Sequence, residues 1–340
     1  MKISYNWLKE YINIDLDVDT VSKILTDIGL EVEGYELFQT IKGGLQGVVV
    51  GKVVTCQKHP NADKLHVTTV DIGNNTILPI VCGAPNVAAG QTVLVATEGT
   101  KLYSGTTEFE IKATKIRGEV SQGMICAEDE LGLGTSHEGI MVLPDTVAAG
   151  TFAKDYYNIQ DDYVFEIGLT PNRIDAASHI GVARDIAAYL SVQGSCTVTK
   201  PSVVEFVAGS KSMSVSVHVE NTEACPRYTG LVIRNVTVTQ SPEWLQNKLR
   251  AIGQKPINNI VDVTNFILHE MAQPLHAFDL AKIEGGKVIV QNVPSKTPFV
   301  TLDGVTRELH ADDLMICNAV NPMCIAGVFG GIESGVTNQT

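Results

Sequence analysis

The sequence predicts a multidomain α+β protein in which a small β-barrel is inserted into a split α+β domain, with a further α+β domain behind it. Three observations predict this. At 340 residues the chain exceeds what one ordinary hydrophobic core organises, so two or three domains are expected. Between residues 48 and 96, four short runs rich in Val, Ile and Thr are separated by Gly and Pro clusters, the pattern of a small all-β barrel. On either side of that block lie helix-and-strand patterns whose apolar faces need partners. The expected bounds are 1–40 and 151–200 for the split domain, 41–150 for the barrel and 201–340 for the last domain.

The first forty residues open with a short helical piece around Trp7 to Ile12. A clearer helix follows, with Val21, Ile24, Leu25 and Ile28 spaced along one buried face. Gly29 stands where a helix-ending residue belongs, and Leu30 to Glu33 alternates like a strand.

The barrel runs are Val48 to Thr55, Leu65 to Ile72, Ile77 to Val81 and Thr92 to Ala96. An OB-type barrel of about five strands needs this much chain, and such barrels commonly bind nucleic acid along one strand face and its loops. Inside the block sit HPNADKL (His59 to Leu65), CGAPNV (Cys82 to Val87) and KIRGEVSQGM (Lys115 to Met124). On its own, His59-Pro60-Asn61 reads as a turn.

After the barrel, Tyr163 to Leu169 reads as a strand and Thr170 to Asp175 as a turn. A helix from about Ser178 to Leu190 would bury Ile180, Ala183, Ala187 and Leu190. Residues 191–211 form a Ser-, Gly- and Lys-containing connector. Ser212 to Val219 then alternates strictly, with Met213, Val215, Val217 and Val219 on one face and His218 on the solvent side. Arg227 to Val238 is expected as a second strand. Ser241-Pro242 makes a good helix start, with Ser as N-cap, and that helix ends at Gly253. Another helix follows Pro256, with Ile260, Val263, Ile267 and Met271 on one face. Strands at Lys287 to Gln291 and Pro298 to Leu302 precede a tight Asp303-Gly304 turn.

Composition narrows the class. Hydrophobic content of 44% and charged content of 19% describe a soluble globular protein. The start MKISYNWLKEY has no apolar h-region and no run approaches a membrane span, so neither a signal peptide nor a membrane association is expected. Seven scattered cysteines without C-x-x-C point to reduced thiols in a cytoplasm and to no bound metal. A net charge of −13 argues against a simple nucleic-acid binder, whose footprint is basic. Residues 226–258 soften that argument, with Arg227, Arg234, Lys248, Arg250 and Lys255 against Glu243 alone, a local balance of +4. A phosphate-binding loop is missing, since Gly132-Leu133-Gly134 does not extend to G-x-G-x-x-G.

The segment most able to carry chemistry is Gln273 to Asp279. Pro274 bars helix continuation, so His276 lies in an irregular stretch where an imidazole can face a pocket. Thr264 and Asn265 precede it, and the glycine pair ending CIAGVFGG (Cys324 to Gly331) lets backbone approach a ligand closely. On residue chemistry alone such a histidine is more often structural than catalytic, and no convincing Ser-His-Asp arrangement accompanies it.

These motifs also carry a resemblance. The three barrel segments, in order, resemble the tRNA-binding OB module of several aminoacyl-tRNA synthetases. FEIGLTPNRIDAASHIGVARDIAAYL resembles the N-terminal domain of the β subunit of bacterial phenylalanine–tRNA ligase, which a tRNA-binding barrel interrupts in the same order. VDVTN (Val261 to Asn265), QPLHAFD (Gln273 to Asp279) and AGVFGG (Ala326 to Gly331) resemble that subunit's editing module, of B3/B4 type. The resemblance covers essentially all 340 residues.

It implies tRNA(Phe) binding through His59, Asn61, Lys64, Lys115 and Arg117 on an OB-fold barrel. It also implies an editing pocket that hydrolyses tyrosine wrongly attached to that tRNA, lined by Thr264, Asn265, His276 and Gly330, with an oriented water attacking the ester and His276 orienting groups. Tyr differs from Phe by one hydroxyl, which an apolar synthetic pocket rejects only weakly, whereas a second site that hydrogen-bonds it discriminates by roughly 10⁴. The family's enzyme is an α2β2 assembly in protein biosynthesis that uses ATP and magnesium, with adenylation on the α subunit. The resemblance therefore implies no cofactor for this chain itself.

A Glu used by the family's editing site falls beyond Thr340, and Glu333 is not at its position. The last domain is accordingly expected to be incomplete. Ser178-His179-Ile180-Gly181-Val182 is similar to the HIGH signature of class I synthetases, but Val182 replaces the final His. The nearest phrase to a KMSKS partner is Lys211-Ser212-Met213-Ser214, within a strand pattern, so His179 is expected to be an ordinary residue near a helix start. A non-catalytic tRNA-binding module and a scaffold docking a catalytic partner are the alternatives.

Overall fold

The computed structural model describes residues 1–340 except 105, 106, 193, 195, 208 and 210–214. Met213 and the Lys211–Ser214 phrase lie outside the described residues. The chain forms two units, Met1–Glu36 with Tyr163–Thr340, and Leu37–Asp162.

The first unit begins with a three-stranded sheet in the order Lys2–Ser4, Asp161–Gly168, Glu31–Gln39. Ile3 faces Phe165 across the antiparallel outer pair. The helix Val18–Asp27 starts where the Asp17 side chain accepts the Thr20 N–H, and it buries Val21, Ile24 and Leu25 as its spacing predicts. Gly29 follows at φ 87°, a conformation that ends a helix without steric cost. The helix His179–Leu190 is capped by Ser178, whose Oγ accepts the Gly181 N–H at 3.0 Å. Gly181 permits the turn before the helix to approach, since a Cβ there would stand 2.3 Å from the Asp175 carbonyl oxygen. Ser178 and Gly181 of the HIGH-like phrase thus both serve the local fold.

Two later helices complete this core. Ile252, which ends the helix Glu243–Ala251, and Phe266, in the helix Asn259–Met271, pack into the cluster of Trp7, Leu25, Phe165 and Ile186. Three expectations are corrected here. Ser241 does not cap its helix: Pro242 holds the N-cap position, and Ser241 Oγ donates to Asp262 Oδ2 at 2.5 Å. The face at Ile260, Val263, Ile267 and Met271 is not the buried one. Asp262 and Glu270 are buried instead and Phe266 half-buried, with Val263 and Met271 exposed. Arg227 to Val238 forms no strand among the described residues. It is irregular, with Leu231 and Ile233 exposed.

A five-stranded sheet runs Ser216–Val219, Lys287–Asn292, Leu314–Cys317, Pro322–Ile325, Phe329–Gly330. Its first pair is parallel, with Val217 opposite Val288, and the others are antiparallel. His218 faces solvent on its edge strand. A small hairpin, Pro298–Val300 with Thr306–Glu308, turns at Asp303-Gly304.

The second unit is a nearly closed barrel-like sheet. Its strand order is Met124–Ile125, Thr92–Ala96, Val48–Lys58, His66–Asp71, Ile77–Cys82, with Val142–Leu143 also pairing with Thr92–Ala96. The ends approach where Gln122 N donates to the Pro79 carbonyl at 2.8 Å and Val81 N to Ser121 Oγ at 3.1 Å. Val48, Val50, Leu94 and Ala96 join one apolar cluster while Val49, Val93 and Val95 join another. Strand alternation across two covered faces explains the continuous Val-rich runs. Gly51 is required by packing, since a Cβ would stand 2.7 Å from Val70 Cγ1. Among the described residues no helix is long and apolar enough to cross a membrane.

Candidate functional site

The three barrel motifs meet through their loops. His59 is buried, and its N–H donates to the Leu65 carbonyl at 3.0 Å, closing the loop that carries Asn61 and Lys64. The Asn61 N–H donates to His59 Nδ1 at 3.0 Å, so the imidazole proton is on Nε2, which donates to the Ile116 carbonyl at 3.1 Å. Asn61 Nδ2 reaches the Arg117 carbonyl at 3.4 Å. His59 therefore spends both ring nitrogens tying one motif loop to another. Asn61, Lys64, Lys115 and Arg117 stay exposed around that tie.

Arg117 and Gly118 form the two-residue turn between Thr114–Ile116 and Glu119–Ser121, both with positive φ, 51° and 102°. Such a turn favours Asn or Gly at its first position, so an arginine there stores backbone strain. Among the described residues no carboxylate pairs with Lys58, Lys64, Lys115 or Arg117. An acidic chain thus carries four cations without an ion pair on these loops and the strand end before them. The CGAPNV motif is structural at Asn86, whose amide exchanges two hydrogen bonds of 2.9 Å with the backbone of Ile140.

The second candidate lies in the other unit. The helix Asn259–Met271, capped by Asn258, ends at Ala272 in the left-handed conformation, φ 57°, and Pro274 then forces the chain away. Buried Asp279 anchors the far end of this segment: Oδ1 accepts the Ala281 N–H at 2.9 Å, and Oδ2 the Thr340 hydroxyl at 2.9 Å. Between the two anchors His276 meets Gly330. A Cβ on Gly330 would stand 2.6 Å from His276 Cε1 and 3.0 Å from Leu302 Cδ1. The His276 ring also lies 4.4 Å from that of Phe278. The residue is exposed overall, yet burial of its ring against these neighbours lowers its pKa below the ordinary imidazole value. A neutral imidazole beside a surface free of side-chain bulk can accept a proton from water or orient it.

Thr264 and Asn265 are half-buried on the helix upstream. Thr264 Oγ1 donates to the Val261 carbonyl at 2.7 Å, and among the described residues no hydrogen bond joins either side chain to His276 or Gly330. Leu302 joins this contact without any signal in the sequence. It is brought there by its N–H donating to the Gly330 carbonyl at 3.0 Å across strands far apart in the chain.

His179 is more than an ordinary helix-start residue. It is fully buried, accepts the Ser4 N–H at Nε2 (3.1 Å), and donates from Nδ1 to the His269 carbonyl (2.8 Å). Its ring stacks on Trp7 at 3.9 Å, and burial pushes its pKa down to about 3. It locks the first residues to the helix that carries Thr264 and Asn265.

A family model described as "Putative tRNA binding domain" matches residues 48–152, and one described as "B3/4 domain" matches residues 224–340. Over its whole length the chain is 61% identical to the phenylalanine–tRNA ligase beta subunit of Bacteroides fragilis. It is 56% identical to that of Porphyromonas gingivalis and 47% to that of Salinibacter ruber. In each case it spans 42% of the relative's length.

Proposed function

Because the chain belongs to the family of phenylalanine–tRNA ligase beta subunits, we propose that it is the part of such a subunit that binds tRNA(Phe) and edits mischarged Tyr-tRNA(Phe). In this reading it works in the cytoplasm, in an α2β2 assembly whose α subunit attaches phenylalanine. Identity of 61% across the entire chain is the observation that carries the proposal.

The barrel, of OB type, takes the tRNA backbone on Asn61, Lys64, Lys115 and Arg117, with His59 holding their loops together. The domain bounds proposed are 1–40 with 151–200, 41–150 and 201–340. Editing falls to the pocket at His276 and Gly330, with Thr264 and Asn265 contributed by the neighbouring helix. His276 orients the water that attacks the aminoacyl ester, and Gly330 makes room for the imidazole itself, since a Cβ there would stand 2.6 Å from His276 Cε1. ATP and magnesium would serve adenylation on the α subunit. Among the described residues no group of three or more His, Cys, Asp and Glu side chains is placed to hold a metal ion.

Deacylation tests the reading. An assembly carrying the full-length subunit should hydrolyse Tyr-tRNA(Phe) and spare Phe-tRNA(Phe), and His276→Ala should be slower by tenfold or more, on the order expected for a water-orienting group. Tyrosyl ester cleavage at the unaltered rate in the variant would remove His276 from the mechanism.

A further inference from the structure

We propose that the cleft beside the barrel motifs seats an unstacked nucleobase of the bound RNA, with the Phe109 ring as its stacking surface. This rests on the reading of the barrel as the RNA-binding unit and adds to it a base subsite.

The cleft measures about 650 Å³ and lies between the Cys82–Pro85 turn, the 109–116 stretch and the hairpin that follows. That volume is within the range of roughly 300–1,000 Å³ typical of small-molecule sites. Its walls are apolar, with Val81, Ala84, Ile111, Ile116, Ile125 and Ile140 among them. Phe109 lines it and is 38% exposed, an aromatic side chain at the surface of an acidic protein with no aromatic partner among the described residues.

The charges decide which part of a nucleotide fits. The acidic and basic side chains that line the cleft are Glu110, Lys112, Glu130 and His137. Lys112 is paired with Glu110 at 3.5 Å and His137 with Asp129 at 3.0 Å, while Glu130 accepts the Ala127 N–H at 2.7 Å. The cations in the cleft are thus already paired, and of the two lining carboxylates Glu130 has no cation partner, so a phosphate finds no free cation there, whereas a neutral base needs none. The unpaired cations Lys115 and Arg117 stand on the hairpin whose Ile116 and Ser121 form part of the cleft wall. Phosphate outside on the hairpin and base inside on Phe109 is the arrangement these charges favour. Stacking of this kind tolerates any base, since every base has a π-face.

The test is binding of an unmodified tRNA(Phe) transcript to the whole 340-residue chain, followed by fluorescence anisotropy across a salt series. Phe109→Ala should weaken binding about tenfold with an unchanged salt slope, as loss of one stacked base does, and Phe109→Trp should restore it. Ala84→Trp, which fills the cleft from the Cys82–Pro85 turn, should cause the same loss. Lys115→Ala should instead reduce the salt slope. If either cleft variant keeps its far-UV spectrum and binds within twofold of the wild type while Lys115→Ala is weakened, the base subsite is wrong and the RNA-binding reading stands. If the wild-type chain binds no tRNA even at low salt, both fall together.

Discussion

Gly330 and His276 are 54 residues apart in sequence, yet a single methyl group on the glycine would come within 2.6 Å of the imidazole Cε1. Gly330 has no positive φ, so its backbone accepts alanine and the whole penalty falls on the contact.

Gly330→Ala should therefore displace the His276 ring and leave the fold intact. The expected outcome is a loss of about a hundredfold in Tyr-tRNA(Phe) deacylation, the scale of a misplacement by about 1 Å in a reacting constellation. A thermal melt within a few degrees of the wild type, measured beside the deacylation rate, separates this from unfolding. A variant as active as the wild type would show that the pocket reacts elsewhere.

His179→Leu should destabilise the first unit by about 3 kcal/mol. The substitution leaves the buried Ser4 N–H and His269 carbonyl without partners, each such loss costing about 1–3 kcal/mol. Urea unfolding reads this directly.

The same residue makes stability depend on pH. Its folded pKa of about 3 is below the unfolded value of 6.5, so the unfolded chain binds the proton first. The stabilisation is complete above about pH 6.5 and is lost as pH falls from there toward 3, at about 1.4 kcal/mol per unit. His269 and His276, both lowered by burial, add slopes of the same sign. His179→Leu should flatten the profile in that window, and an unchanged slope would contradict the assignment.

Arg117→Gly should separate stability from binding. Glycine relieves the positive φ at the turn, so the melting temperature should hold or rise. Binding of tRNA should weaken, with its salt slope smaller by about 1, the contribution of one phosphate contact. A slope equal to that of the wild type would take Arg117 out of the interface.

Asp262→Ala should cost about 3 kcal/mol, since Asp262 is fully buried and holds both the Ser241 hydroxyl and the Ile257 N–H. Asp262→Asn keeps one acceptor and should recover part of that, which a comparison of the two unfolding midpoints would reveal.

Much of this was readable one segment at a time. The helix at 18–27 and its Gly29 stop, the four barrel runs and the Ser178 cap are local patterns, decided by side-chain spacing and backbone preference within a dozen residues. The helix at 259–271 shows where such reading fails. Its apolar residues suggest one face, but the core receives Asp262, Phe266 and Glu270, four residues apart on another. The two carboxylates can be buried only because Ser241, the Ile257 N–H and Tyr11 meet them, and Tyr11 is 259 residues from Glu270. Hydropathy records the cost of burying a charge and has no record of a distant donor that offsets it.

By itself the sequence determined the order of the barrel motifs and the local elements around them. Those depend on chain-local chemistry. Tertiary structure alone decided which of their side chains stand free. His59 is consumed by Ile116, His179 is sealed between Trp7 and two backbone groups, and Leu302 is carried to Gly330 by a strand contact. A hydrogen bond needs its partner within about 3 Å, and only the folded chain sets that distance.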